Sequence, residues 1–144
     1  MNATLAKFGY PETLVCEYQH WCVLLRPAQV TLGALVLAAK GQAQAFSALP
    51  PEAFTELAVV VRHIEHSLKV FRPYDRINYL MLMMVDPHVH FHVLPRYAAT
   101  QVFEGLSLAD AGWPGPPDLK SATDVPGQLR TRLLHGLQQL WQKN

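Results

Sequence analysis

Apolar residues run through the chain in two different rhythms. Residues 13–19 (TLVCEYQ) and 20–27 (HWCVLLRP) crowd together β-branched, aromatic and aliphatic side chains, which predicts two strands or one long bent strand. Residues 31–41 (TLGALVLAAKG) predict another strand, closed by Gly41. The period then changes. Phe54, Leu57, Val61, Ile64, Leu68 and Phe71 recur at steps of three and four, an apolar stripe on a long helix. Pro50 and Pro51 suit its start, and Pro73 stops it. Residues 76–86 (RINYLMLMMVD) are almost wholly apolar and predict a strand covered on both faces. Asp86-Pro87 marks a turn, and residues 88–97 (HVHFHVLPRY) follow with a period of two. Strands so closely joined should pair antiparallel.

Beyond Tyr97 the chain turns to Gly, Pro and small residues, predicting a loop over 98–122 packed by Phe103 and Trp113. Residues 123–144 predict a helix capped by Asp124 or Thr123 and lined by Leu129, Leu133, Leu137 and Leu140. Strands, helix, two strands, loop, helix is the order of an α+β fold, with an antiparallel sheet of about five strands. The 144 residues fit a single domain, with a core over about 13–97 and a C-terminal loop and helix over 98–144.

Composition narrows the function classes. Half the residues are hydrophobic and 16% are charged, a globular balance. A net charge of +1 carries no basic nucleic-acid footprint, so an anionic ligand must be met by local groups. No apolar run approaches the roughly 18 residues of a membrane span. Residues 1–14 (MNATLAKFGYPETL) lack the basic and apolar regions of a secretory signal. The expectation is a cytoplasmic protein with no membrane or nucleic-acid partner, whose Cys16 and Cys22 are reduced thiols rather than a bridge.

Of seven histidines, His20, His63, His66 and His135 are read as structural or solvated. His88, His90 and His92 are different, because alternation lines one face of a strand with imidazole. Two chemistries want such a surface. One is a metal site, although same-face neighbours lie about 7 Å apart, which strains a single ion shared by three. The other is nucleophilic catalysis at phosphorus, in which one neutral imidazole attacks while its neighbours polarise or anchor the phosphate.

The run HVHFHVL fits H-φ-H-φ-H-φ-φ and resembles the signature of the histidine triad (HIT) superfamily of nucleotide hydrolases and transferases. HVLPR is similar to the branch holding fragile histidine triad proteins and diadenosine polyphosphate hydrolases. The likeness extends more weakly over residues 13–97, including Pro27 and Gly33, and says little about 98–144. It implies a HIT-like fold and a homodimer formed through the central helix and a sheet edge. It also implies His90 as the nucleophile that takes a nucleoside monophosphoryl group, which water then releases. His92 would bind phosphate oxygens and His88 would complete the triad, with no metal ion and no cofactor required. Arg96, just past the triad, is an always-charged fork suited to a polyphosphate chain. The competing readings are a nucleotide-binding module with weak or no catalysis, and a metal-binding protein using the three strand histidines.

The sequence also departs from the family pattern. Ala34 stands where many members carry a fourth histidine. Met83, Met84 and Val85, followed by Asp86-Pro87, replace a polar Gly-Gln-Ser/Thr-Val approach to the triad. The residue that commonly grips ribose is missing near Arg26–Gln29. Arg26, Gln29 or the loop after residue 97 are the candidates to supply the lost polar contacts.

Overall fold

The two apolar runs near the N-terminus are separate strands. A computed structural model describes residues 2–144. A short helix α1 (Ala3–Lys7) precedes β1 (Leu14–Glu17) and β2 (Trp21–Leu25), and a two-residue strand β3 (Ala28–Gln29) leads to β4 (Leu35–Ala39). After a 3-10 turn at Phe46–Ala48 comes α2 (Pro51–Phe71), then β5 (Arg76–Leu80) and β6 (His90–Arg96). The C-terminal part holds a hairpin, β7 (Gln101–Phe103) and β8 (Leu106–Leu108), then β9 (Thr123–Asp124) and α3 (Gly127–Trp141). Five strands form one antiparallel sheet, the number and sense the patterning predicts, and their order is β1-β2-β4-β6-β5.

The sheet has two unlike faces. On one, Trp21, Val23, Leu35 and Leu37 share a core with Val60, Ile64 and Leu68 of α2 and Leu133 and Leu137 of α3. On the other, Cys22, Leu24, Val36 and Ala38 pack against Leu5 of α1. Register decides where the histidines go: His90 lies opposite Ala38 and His92 opposite Val36, so both face the α1 side. Phe91, between them, and Val93, just after, join the helix-side core. Among the described residues no helix is long and apolar enough to cross a membrane.

Several elements differ from the sequence expectation. The apolar run at 76–86 forms a strand only to Leu80, and β5 is a half-exposed sheet edge rather than a covered strand. Leu82, Met84 and Val85 are exposed instead. Helix α2 begins and ends where its prolines direct, but its buried stripe is Ala53, Val60, Ile64, Ser67 and Leu68. Phe54 therefore falls on an exposed flank, where its ring lies 5.3 Å from that of Phe46. The expected loop at 98–122 contains the β7–β8 hairpin, with Phe103 packed on Phe71. Neither Thr123 nor Asp124 caps α3: both pair with β3, and Pro126 occupies the cap position without a side-chain bond. Cys16 and Cys22 are free thiols.

Candidate functional site

The strand places two of the three histidines, and a backbone bond sets the chemistry of the middle one. The Nδ1 of His90 lies 2.7 Å from the carbonyl oxygen of His88. A carbonyl only accepts, so Nδ1 carries the hydrogen, and the Nε2 of neutral His90 keeps its lone pair. His88 sits just before β6, and its Nδ1 is 3.1 Å from the Thr4 hydroxyl of α1. His92 is buried with no partner on Nδ1. Burial first, then the nearby Arg26 charge, lowers its pKa to about 4, so the ring is neutral at pH 7. A buried N–H without a partner is rarer than an under-satisfied acceptor, which assigns the His92 proton to Nε2 as a donor.

A cavity of 290 Å³ opens beside these rings, lined by Lys7, Phe8, Arg26, His90, His92 and the segment Leu82 to Asp86. Phe8 covers the histidines, its ring centre 5.8 Å from that of His90 and 5.7 Å from that of His92. Arg26 donates through one terminal nitrogen to the Ala28 carbonyl, while its buried Nε has no partner. Among the described residues no carboxylate lies within ion-pair distance of Arg26, and burial pulls its pKa down. Across the mouth, the Lys7 ammonium meets the Asp86 carboxylate at 2.9 Å. The intervening wall is apolar, and Met83 bends it with a φ of +50°, an uncommon conformation for a residue with a side chain.

Arg26 thus joins His90 and His92 at one cavity, while Gln29 and Arg96 are drawn elsewhere. The Gln29 amide is buried in its own loop, donating to the carbonyls of Arg26 and Ala34 and accepting from the Gly33 amide. Gly33 has a φ of +93°, a turn that favours glycine. Arg96 shares the histidine face but is only 3% exposed. Its guanidinium donates to both Asp110 carboxylate oxygens, to the Asn78 side-chain oxygen Oδ1 at 2.7 Å and to the Gly115 backbone carbonyl at 3.0 Å. Those contacts occupy the fork that the expected polyphosphate contact would need.

Three residues at the site carry no sequence expectation at all: Thr4, Lys7 and Phe8. The available signal is Asn2, whose side chain accepts from the Leu5 amide as an N-cap. Away from the site, His63 pairs with the Tyr18 hydroxyl at 2.9 Å. Among the described residues no group of three His, Cys, Asp or Glu side chains is arranged to hold one metal ion.

A sheet that presents alternate histidines beside a cavity is a family architecture, and comparison with known proteins names the family. The HIT domain model matches residues 10–99, and the chain belongs to the HIT domain family. It is similar to the crystal structure of a histidine triad protein from Marinobacter aquaeolei VT8, at 20% identity and a TM-score of 0.75, covering 99% of this chain and 96% of that one. A histidine triad (HIT) protein from Sinorhizobium meliloti 1021 gives the same TM-score, 0.75, at 17% identity, covering 96% of this chain and 94% of that one. A hypothetical histidine triad nucleotide-binding protein from Sulfolobus tokodaii strain 7 gives 0.67 at 18% identity, covering 91% and 84%. At these identities the likeness is one of fold. No curated protein matches the sequence.

Proposed function

We propose that this protein is a nucleotide hydrolase or transferase acting at the α-phosphate of nucleoside phosphate conjugates, either dinucleoside polyphosphates or phosphoramidates. The observation that carries the reading is the bond from His90 Nδ1 to the His88 carbonyl, which puts the hydrogen of a neutral ring on Nδ1 and leaves the Nε2 lone pair to act as nucleophile beside the cavity. In the first step Nε2 forms a bond to phosphorus, and the bond to the leaving group breaks with its electron pair. In the second, water displaces the imidazole and releases the nucleoside monophosphate. His92 Nε2–H and Arg26 bind the phosphate oxygens in this reading, which their shared position on the cavity wall supports, because donors held in advance favour the transition state. His88 holds the nucleophile through its carbonyl. The nucleotide-binding description of the Sulfolobus tokodaii protein supports the same ligand class here. The HVLPR segment supports a place in the fragile histidine triad and diadenosine polyphosphate hydrolase branch.

A homodimer belongs to this reading. The exposed flank bearing Phe46 and Phe54 adjoins a groove of Leu37, Leu57, Val61, Glu65, Tyr79 and Phe91, apolar apart from Glu65 and the Tyr79 hydroxyl it accepts from, next to the edge strand β5. An apolar groove beside an unpaired strand edge suits a second copy related by two-fold symmetry. Cytoplasmic residence completes the picture, supported by two free thiols.

The test is intact-mass analysis after brief exposure to a panel of nucleoside phosphoramidates and dinucleoside polyphosphates. A nucleotidyl adduct is expected on His90. Nucleotide binding with no adduct and no turnover would support the binding-module alternative instead.

A further inference from the structure

Helix α1 is fastened to the sheet at its start. The Asn2 amide donates to the carbonyls of Ala39 at 2.9 Å and Gly41 at 2.8 Å, and Leu5 is buried beside Leu24 and Val36. This anchor delivers three contacts to the site: Thr4 to His88, Lys7 to the cavity mouth, and Phe8 to the other two histidines. There Lys7 reaches across to Asp86, at the end of the apolar wall. The pair is solvent-touched, with the Lys7 side chain 51% exposed and that of Asp86 18% exposed. Such pairs are weak and exchange partners readily.

We propose that Lys7 is a second cation for the substrate phosphate and that Asp86 guards it in the free protein. Two cations line the cavity, and Arg26 already gives one of its terminal nitrogens to the Ala28 carbonyl. An entering phosphate attracts Lys7, whose flexible stem can swing without any backbone movement. Asp86 is then left unpaired beside an anion, a repulsion that opposes binding and speeds release of charged products. Asp86 and Lys7 consequently act in opposite directions on anion affinity. A plain structural brace between α1 and the 82–86 wall would make them act in the same direction. The inference rests on the nucleotide reading only for the identity of the ligand.

Titration calorimetry with inorganic phosphate and with AMP, on wild type, Lys7→Met and Asp86→Asn, tests this. Asp86→Asn is expected to bind both probes about threefold tighter and Lys7→Met about threefold more weakly, the scale of a screened ion pair. Lys7→Arg, which keeps the cation, should restore affinity. If phosphate follows this pattern while AMP does not bind, the guarded lysine stands and the nucleotide reading falls. Strong AMP binding that both variants leave unchanged, or weaken alike, overturns the guarded lysine and leaves the nucleotide reading intact. Absence of binding for both probes overturns both.

Discussion

His90 points its Nδ1 at the carbonyl oxygen of His88, two residues back along the same chain, at 2.7 Å. The ring is thereby held by backbone rather than by a side chain. His90→Ala should abolish turnover and the nucleotidyl adduct while leaving nucleotide affinity within about tenfold of wild type. His88→Ala keeps the carbonyl and loses the ring's packing and its Thr4 contact, so it should cost turnover far less. Single-turnover kinetics on the two variants checks the ordering; equal losses would mean that the His88 ring, not its carbonyl, is what matters.

His92 predicts how stability varies with acidity. Its folded pKa of about 4 lies below the ordinary histidine value, so the unfolded chain binds its proton first as pH falls. The stability from neutral His92 is therefore present above about pH 6.5 and is lost as pH drops toward 4. Urea midpoints measured across that window should fall for wild type and fall less steeply for His92→Gln.

Arg96 and Asp110 form an ion pair whose side chains are 4% and 1% exposed. Arg96→Met would strand the Asp110 carboxylate in the interior, at a cost of about 3–5 kcal/mol in chemical denaturation. Adding Asp110→Asn should recover part of that loss. Destabilisation as large in the double variant as in Arg96→Met would show that packing, not charge, dominates there.

The exposed Phe54 flank makes the dimer testable. Phe54→Glu places a charge in the proposed interface, and light scattering should show a shift from dimer to monomer with the fold retained by circular dichroism. A wild-type chain that is monomeric at high concentration would refute the assembly.

Leu82, Met83, Met84 and Val85 line the cavity where a leaving group would sit, and they offer no side-chain hydrogen-bond donors. Each missing donor can cost on the order of 3 kcal/mol of transition-state stabilisation for a highly charged leaving group. The ratio of kcat/KM for an adenosine phosphoramidate to that for diadenosine tetraphosphate should therefore favour the phosphoramidate. A strong tetraphosphate preference would contradict this apolar wall argument.

Much of the site was legible in HVHFHVLPRY, because a period of two assigns His90 and His92 to one face without knowledge of their neighbours. The same parity places Arg96 on that face, but parity says nothing of Asp110 and Asn78, which lie 14 and 18 residues away in sequence and take the guanidinium. Helix α1 leaves no such signal, because five residues are too few to show a period and Thr4 meets His88 across 84 residues. The apolar run after Leu80 read as strand because hydrophobicity alone cannot distinguish a buried strand from a wall facing a cavity. For α2 the spacing found the helix but not its orientation, since apolar residues occupy a flank as well as the buried face.

Anchoring the site through a five-residue helix has a thermal consequence. Helix α1 packs on the sheet through the small cluster around Leu5 rather than through the main core, so it should detach before the sheet melts. On warming, the histidines would lose the cover of Phe8 and the Thr4 contact while the β-strands are still intact. Catalysis would then fade below the global melting point, and amide exchange at Leu5 and Lys7 would outpace that of β4. The protein would behave as a rigid scaffold carrying a detachable active-site wall.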